Sequence, residues 1–480
     1  MGVGGFASDN YWSSSENDAN NAWNQNFNNG NQNNNNKTNT NYVRPVRGFH
    51  HDVVLHVGGN FSPTSFLEIW VDVQLELFPV DDVEVINDDK RVTLLVDLLE
   101  AYLSCRRNKR NTINALAFEV DYDSHLIVLR DEIISGTYRP GRSVAFVVDK
   151  PVKREIFAAD FRDRVVHHLV INKLNPLFER AFIYDSYACR VGKGTLFGIH
   201  RLESFIRRCS LNDTLDCYVL KIDIKGFFMH IDTDILWQRL EKFIEDKYRE
   251  PDKALMSELC RVIVMNRSEE NCVIKGKRSD WDGLPPDKSL FHSPPHCGLP
   301  IGNLSSQVFA NFYLNTFDHF VKHSLGIKFY GRYVDDCVFV HPDREYLASL
   351  IPVLRGFLWT ELSLELHPKK ISLQHYSHGV PFLGAFILPG RTYVGKRTKG
   401  NWVSAIRRHN GVAADHVPDR DETRQFVASM NSYLGVLGHF RTRSLRHAMV
   451  KRHVKGWWGH TWVNGNITKF STRHRSSRRF

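Results

Sequence analysis

The sequence predicts an α+β fold, and three observations carry that expectation. An apolar strand pattern, Tyr218-Val219-Leu220-Lys221-Ile222, stops at an acid, Asp223. Further along, Ile327-Lys328-Phe329-Tyr330 and Cys337-Val338-Phe339-Val340 flank Tyr333-Val334-Asp335-Asp336, which reads as a tight hairpin carrying two acids at its tip. Between them, apolar residues recur at helical spacing from Phe309 to Leu325, and again upstream from Val165 to Phe178.

Taken in chain order, residues 1–47 are Asn-rich with isolated aromatics such as Trp12, Trp23 and Phe27. So little apolar surface predicts a disordered leader. Residues 48–87 hold short apolar stretches and receive no assignment. Residues 90–120 read as helix, Phe146-Val147-Val148 opens a hairpin, and Val165 begins the next helix. A polar, Pro-rich loop at 276–296 precedes Leu299-Pro300-Ile301-Gly302. Residues 389–480 read as helices followed by a basic tail, and no internal repeat is visible.

The chain has 480 residues, 42% of them hydrophobic, enough for a large core and more than one subdomain. A formal net charge of +10 suits a partner carrying phosphates. Basic residues gather near the C-terminus (Arg407, Arg408, Arg441, Arg443, Arg446, Lys451, Arg452), with Trp457, Trp458 and Trp462 interleaved. For these Trp side chains, packing is favoured over stacking on bases. Eight cysteines without paired spacing argue against a zinc site and against a disulfide framework. The histidines, His167-His168 among them, lack a metal-ligand arrangement, and most are assigned to the surface or to RNA contacts. No apolar run is long enough to span a bilayer and no secretory signal pattern is present, so no membrane partner and a cytoplasmic location are expected.

The acids carry the chemistry. Adjacent carboxylates between buried strands repel one another and lose hydration, and so favour a cation. Three carboxylates converging from Asp223, Asp335 and Asp336 make a hard oxygen site suited to Mg²⁺ or Mn²⁺. Two such ions about 3.5–4 Å apart can clamp the attacking and leaving oxygens of a phosphoryl transfer.

Asp223 and the Tyr333-Val334-Asp335-Asp336 box resemble motifs A and C of reverse transcriptases. Further blocks follow in that family's order, over roughly residues 90 to 445. Lys153-Arg154-Glu155-Ile156 with Asp160 to Arg164, and Tyr184 to Arg190 with Gly192-Lys193-Gly194, resemble its fingers. His367-Pro368-Lys369-Lys370 resembles motif D, Val380-Pro381-Phe382-Leu383-Gly384 the primer grip, and Ser432 to His439 the start of a helical thumb. The resemblance implies a right-hand polymerase: N-terminal helix and fingers over 88–217, palm over 218–388 (an antiparallel sheet with helices on one face), thumb and tail over 389–480. It also implies an enzyme, an RNA-directed DNA polymerase that takes a template RNA, a cDNA or primer, dNTPs and two Mg²⁺ ions.

The subtype rests on Leu299-Pro300-Ile301-Gly302-Asn303-Leu304-Ser305-Ser306-Gln307. Ile301-Gly302 stands where retroviral and group II intron enzymes usually carry Gln-Gly, and Ser306-Gln307 where they carry Ser-Pro. This pattern is similar to reverse transcriptases of diversity-generating retroelements, which miscopy template adenines while rewriting a target gene (mutagenic retrohoming). They often work with a small basic accessory variability protein. A branched apolar Ile301 cannot donate the hydrogen bonds of a Gln amide. The leader fits the same reading as translated template repeat, since Asn codons are adenine-rich. The alternative is an antiviral-defence or group II intron-like bacterial reverse transcriptase.

Roles follow from the matched motifs. Asp223, Asp335 and Asp336 are the metal ligands, Asp336 the more peripheral, with the Ile224 carbonyl added. Lys370, beside its rival Lys369, protonates the leaving pyrophosphate. Lys150 and Arg154 neutralise the triphosphate, Phe228 is the steric gate against a 2′-hydroxyl, and Ile301 and Gly302 contact the nucleotide. Gln307, Tyr333, Phe382, Leu383 and Gly384 face template and primer.

Overall fold

The computed structural model describes residues 89–107, 112–149 and 152–473, together with the backbone of five short strands between residues 10 and 57. The chain divides into two compact units, residues 1–138 and 139–480.

In the first unit, the strands Asn10–Glu16, Asn21–Asn26, Gln32–Asn36, Asn41–Val43 and Leu55–Val57 form one sheet. Composition alone predicts no regular structure there. Backbone pairing, such as Asn24 opposite Asn33, needs no apolar side chain to form. The expected 90–120 helix is two, Asp89–Arg106 and Ile113–Glu119, followed by Tyr122–Ile134. Tyr102 stacks on Tyr122 with ring centres 5.1 Å apart, which closes this helical group.

The second unit is built on an antiparallel four-stranded sheet in the order Phe329–Tyr333, Asp336–His341, Tyr218–Ile222, Ser372–His375. Register assigns the faces. Val340 pairs with Val219 and Val338 with Lys221, so by strand alternation Val219, Lys221, Asp336, Val338 and Val340 share one face. Leu220, Phe339, Tyr330 and Arg332 share the other. Both faces are buried. The helix Thr195–Cys209 packs Ile199, Leu202, Phe205 and Ile206 against Val219, Val338 and Val340. On the reverse face Phe317 stands between Tyr330 and Phe357 of the helix Arg344–Leu362, at 6.3 and 6.0 Å.

Helix starts follow their caps. Asp160, Asp232 and Asp343 accept backbone N–H bonds at the first turns of Phe161–Ala181, Thr233–Lys247 and Arg344–Leu362. Asp419 and Glu422 form a reciprocal capping box at Arg420–Gly438. The expected helix from 309 to 325 is interrupted: Leu304–Tyr313 and Asn315–His319 are separate, and Phe320–Ser324 is a π-turn. Such turns recur near functional sites, and here they bring the buried Asp318 beneath the acidic hairpin.

A second sheet pairs Ser143–Val148 with Arg154–Ala158 and Cys272–Ile274. The 276–296 segment, expected as an open loop, folds as three short 3₁₀ turns around Glu155. That buried carboxylate accepts from Trp281 Nε1, Ser289 Oγ and the Leu290 N–H at 2.6, 2.7 and 2.5 Å.

Residues 396–453 form three helices around Trp402, Phe426 and Trp457. Trp457 is fully buried and stacks on Phe426 at 4.3 Å, whereas Trp458 and Trp462 are exposed. Arg446, expected on the basic surface, is instead buried and donates to the Ile467 carbonyl.

Candidate active site

Asp223 lies one residue beyond the strand Tyr218–Ile222, and Asp336 opens the strand Asp336–His341. Because Ile222 pairs with Cys337, the continued register sets Asp223 opposite Asp336 on one face of the sheet. Tyr333 pairs with Asp336, leaving Val334 and Asp335 as a two-residue hairpin turn. The local pattern of apolar strands ending in acids is what brings these groups together.

Burial, then the charges of Asp223 and Asp336, push the Asp335 carboxyl up to about 6, against the pull of Lys370. Asp336 is also raised, chiefly by burial, with Lys221 opposing. Lys370 Nζ donates to Asp223 Oδ1 at 2.8 Å, and Lys221 Nζ stands 3.3 Å from Asp336 Oδ1. A cleft of about 270 Å³ is lined by Lys221, Asp223, Asp336, Lys369, Lys370, Ile371 and Ser372.

These residues fit a divalent cation in donor chemistry: hard oxygens, crowded enough that one carboxyl holds its proton abnormally well. Among the described residues no three His, Cys, Asp or Glu side chains form a ready cage for an ion. The two lysine ammoniums instead supply the positive charge. Ile224 bridges to Leu366, flanked by bonds from His367 N to Asp223 O and from Lys225 N to Glu365 O. Its own carbonyl therefore points to the opposite side of the strand, free of that pairing.

The other expected residues fall into three groups. Phe228, in the short helix Phe227–His230, is half-buried, while its neighbour Phe227 is the core aromatic. Phe228 and Ile301 both pack against the cluster of Ala145, Phe157, Met229 and Leu290. The Ile301 carbonyl accepts from Phe157 N at 2.8 Å, and Asn303 Oδ1 accepts from Ala159 N at 3.1 Å. Gly302 has φ +137°, and a Cβ there would meet the Phe157 carbonyl oxygen at 2.7 Å, so only glycine fits. Arg154 is exposed on the facing strand, and Lys150 lies outside the described residues.

In the third group, Phe382 pairs with Ala385, so Leu383 and Gly384, both at positive φ, make the turn. Phe382 is buried, and Tyr333 and Leu383 pack beside it. Gln307 is exposed and accepts from Cys189 Sγ at 2.9 Å.

Sequence reasoning missed Lys221, Glu155 and Arg332. Lys221 donates to the Pro381 carbonyl at 2.9 Å and lies over the Phe382 ring at 5.6 Å, joining that turn to Asp336. Its signal was its position two residues before Asp223, on the same face. Arg332 is fully buried against Asp318. His167 is buried beside Ser305 Oγ at 3.3 Å, and burial pushes it down to about 3, which keeps it neutral. All eight cysteines are free thiols, and among the described residues no helix is long and apolar enough to cross a membrane.

Residues 150–387 match the reverse transcriptase (RNA-dependent DNA polymerase) family model. The Escherichia coli K12 protein YkfC is 22% identical over 356 residues, covering 67% of this chain and 82% of its own. Apo telomerase from Candida tropicalis aligns with TM-score 0.41 and 12% identity over 81% of each chain. Telomerase from Candida albicans, solved with a TWJ fragment of telomeric RNA, aligns with TM-score 0.39 and 12% identity. That alignment covers 65% of this chain but only 56% of the telomerase chain.

Proposed function

We propose that this protein, an RNA-directed DNA polymerase of right-hand fold whose residues 150–387 match the reverse transcriptase family model, copies template RNA into cDNA with elevated error at adenines, as in diversity-generating retroelements. The observation that carries this reading is Ile301. It supplies an apolar side chain packed on the same cluster as Phe228, where a Gln amide would offer hydrogen bonds. A nucleotide checked there by shape alone meets less discrimination than one checked by paired polar groups.

Asp223, Asp335 and Asp336, with the Ile224 carbonyl, would hold divalent ions, which when bound would supply charge stabilisation for phosphoryl transfer. Lys370, already bonded to Asp223, delivers a proton to the departing pyrophosphate. Arg154 offers a forked donor to the triphosphate. Phe228 closes against a ribose 2′-hydroxyl. Val380 to Gly384 seats the primer end, and Gln307 and Tyr333 face the template–primer. A small basic accessory protein and a structured RNA complete the assembly.

Primer extension on an adenine-containing RNA template, with sequencing of the cDNA, tests this reading. The expected outcome is an excess of errors opposite adenine, which Ile301→Gln reduces. Errors no commoner opposite adenine than elsewhere, with accessory protein and structured RNA present, overturn the subtype. Asp223→Asn or Asp335→Asn lowers synthesis by roughly 10³-fold or more, several kcal/mol of lost charge stabilisation. Preserved synthesis in either variant overturns the site.

A further inference from the structure

The two-residue turn at the tip of the acidic hairpin carries an unusual residue. Favoured hairpin turns of this length need a positive φ at the first central position, where Gly, Asn or Asp is usual. Here that position is Val334, at φ +56°. A β-branched residue persists in this region only where its surroundings over-determine it.

The surroundings are supplied from below. Arg332 Nη1 donates to the Val334 carbonyl at 2.9 Å. The guanidinium is itself immobilised: Nε and Nη2 donate to Asp318 Oδ1 and Oδ2 at 2.8 and 2.6 Å. Asn311 adds contacts from Oδ1 and its carbonyl at 3.3 Å each. Asp318, wholly buried, also accepts from the Tyr330 hydroxyl at 2.6 Å. The strand around Arg332 is clamped along its length, with Arg332 N donating to the Asp185 carbonyl and Tyr187 N to the Arg332 carbonyl, both at 2.9 Å. A Cβ at Gly331 would strike the Tyr187 hydroxyl, so Gly331 permits this docking.

We propose that Arg332 is a positioning residue for DNA synthesis: anchored by Asp318 on the reverse face of the sheet, its guanidinium holds the Val334 carbonyl, and thereby the strained turn, in the conformation that sets Asp335 beside Asp223. The inference rests on the reading of Asp335 as a catalytic carboxylate. Lysine cannot replace the arginine, because one ammonium cannot serve two Asp318 oxygens and the turn carbonyl in a fixed fork.

The test is a double-mutant cycle between Arg332 and Val334. Arg332→Lys lowers kcat for primer extension by roughly 10–10²-fold, the scale of a misplacement of about 1 Å, and weakens Mn²⁺ binding measured by titration without nucleotide. Glycine adopts positive φ freely, so Arg332→Lys/Val334→Gly recovers a substantial part of that loss. Leu347→Ala, a core cavity of comparable melting-temperature loss, shows no recovery when Val334→Gly is added. If Arg332→Lys fails to fold, Asp318→Asn keeps the shape with a weaker anchor and shows the same loss and the same recovery. Wild-type kcat and Mn²⁺ affinity in folded Arg332→Lys, or a loss that Val334→Gly does not relieve, overturns the proposal. Asp335→Asn separates the two readings: if it remains active, the site itself is misassigned. If it is inactive while the cycle shows no coupling, only the role of Arg332 falls.

Discussion

Asp335 and Phe228 show how single side chains answer to their surroundings. The Asp335 carboxyl is raised from 3.8 to about 6 by burial and by its neighbours Asp223 and Asp336. A raised carboxyl binds its proton more tightly in the folded chain than in the unfolded one. Its contribution to stability is therefore fully present below about 3.8 and lost as pH rises through about 6. Metal-free protein is expected to melt at progressively lower temperature across that window, and Asp335→Asn to flatten the decline. Calorimetry at stepped pH checks this; an unchanged slope would contradict the crowding of the three acids. Phe227 is the buried core ring and Phe228 is half-buried, a distinction their sequence left open. Phe228→Ala raises ribonucleotide incorporation, measured by competition between rNTP and dNTP, with unchanged sugar discrimination as the contrary result. Phe227→Ala removes the buried ring and costs roughly 3–5 kcal/mol of stability, read by denaturant melts, without altering sugar choice.

At the scale of elements, the acidic strands were legible, because apolar runs ending in carboxylates have few other foldings, whereas their register was not. The helix Phe161–Ala181 was likewise announced by periodicity from Val165 to Phe178, though its first turn and Asp160 cap were not. Glu155 was not. Its neighbours Ile156 and Phe157 are apolar, so alternation offers no reason to place a carboxylate inside. The three donors that make burial tolerable come from residues 281–290, distant along the chain. Glu155→Ala strands those donors and is expected to cost roughly 2–4 kcal/mol. Limited proteolysis within 276–296 accelerates, and unaltered cleavage there would show that the segment is held by other means. The break between Tyr313 and Asn315 was equally hidden, since the apolar spacing continues across it while Asp318 and Arg332, fourteen residues apart, find each other only in the folded chain.

For the whole molecule, composition announced a nucleic-acid partner, and the charge of +10 makes template binding salt-dependent. It did not announce which basic and aromatic residues are internal: Arg446 and Trp457 are buried while Trp462 is exposed. Residues 139–480, which hold all three acids, form a compact unit of their own. Deleting residues 1–47 is therefore expected to leave primer extension within about twofold of the full chain, since changes remote from functional groups are usually small. Loss of synthesis would instead assign the leader a working part.

Lys221 has an implication at this same scale. One ammonium touches both the Pro381 carbonyl and Asp336, so a shift of the Val380–Leu388 hairpin changes how that ammonium is shared next to Asp223. On the proposed reading, nucleic acid at that hairpin and a divalent ion at the acids would share this single flexible tether, and any effect of one on the other would be reciprocal to the same degree.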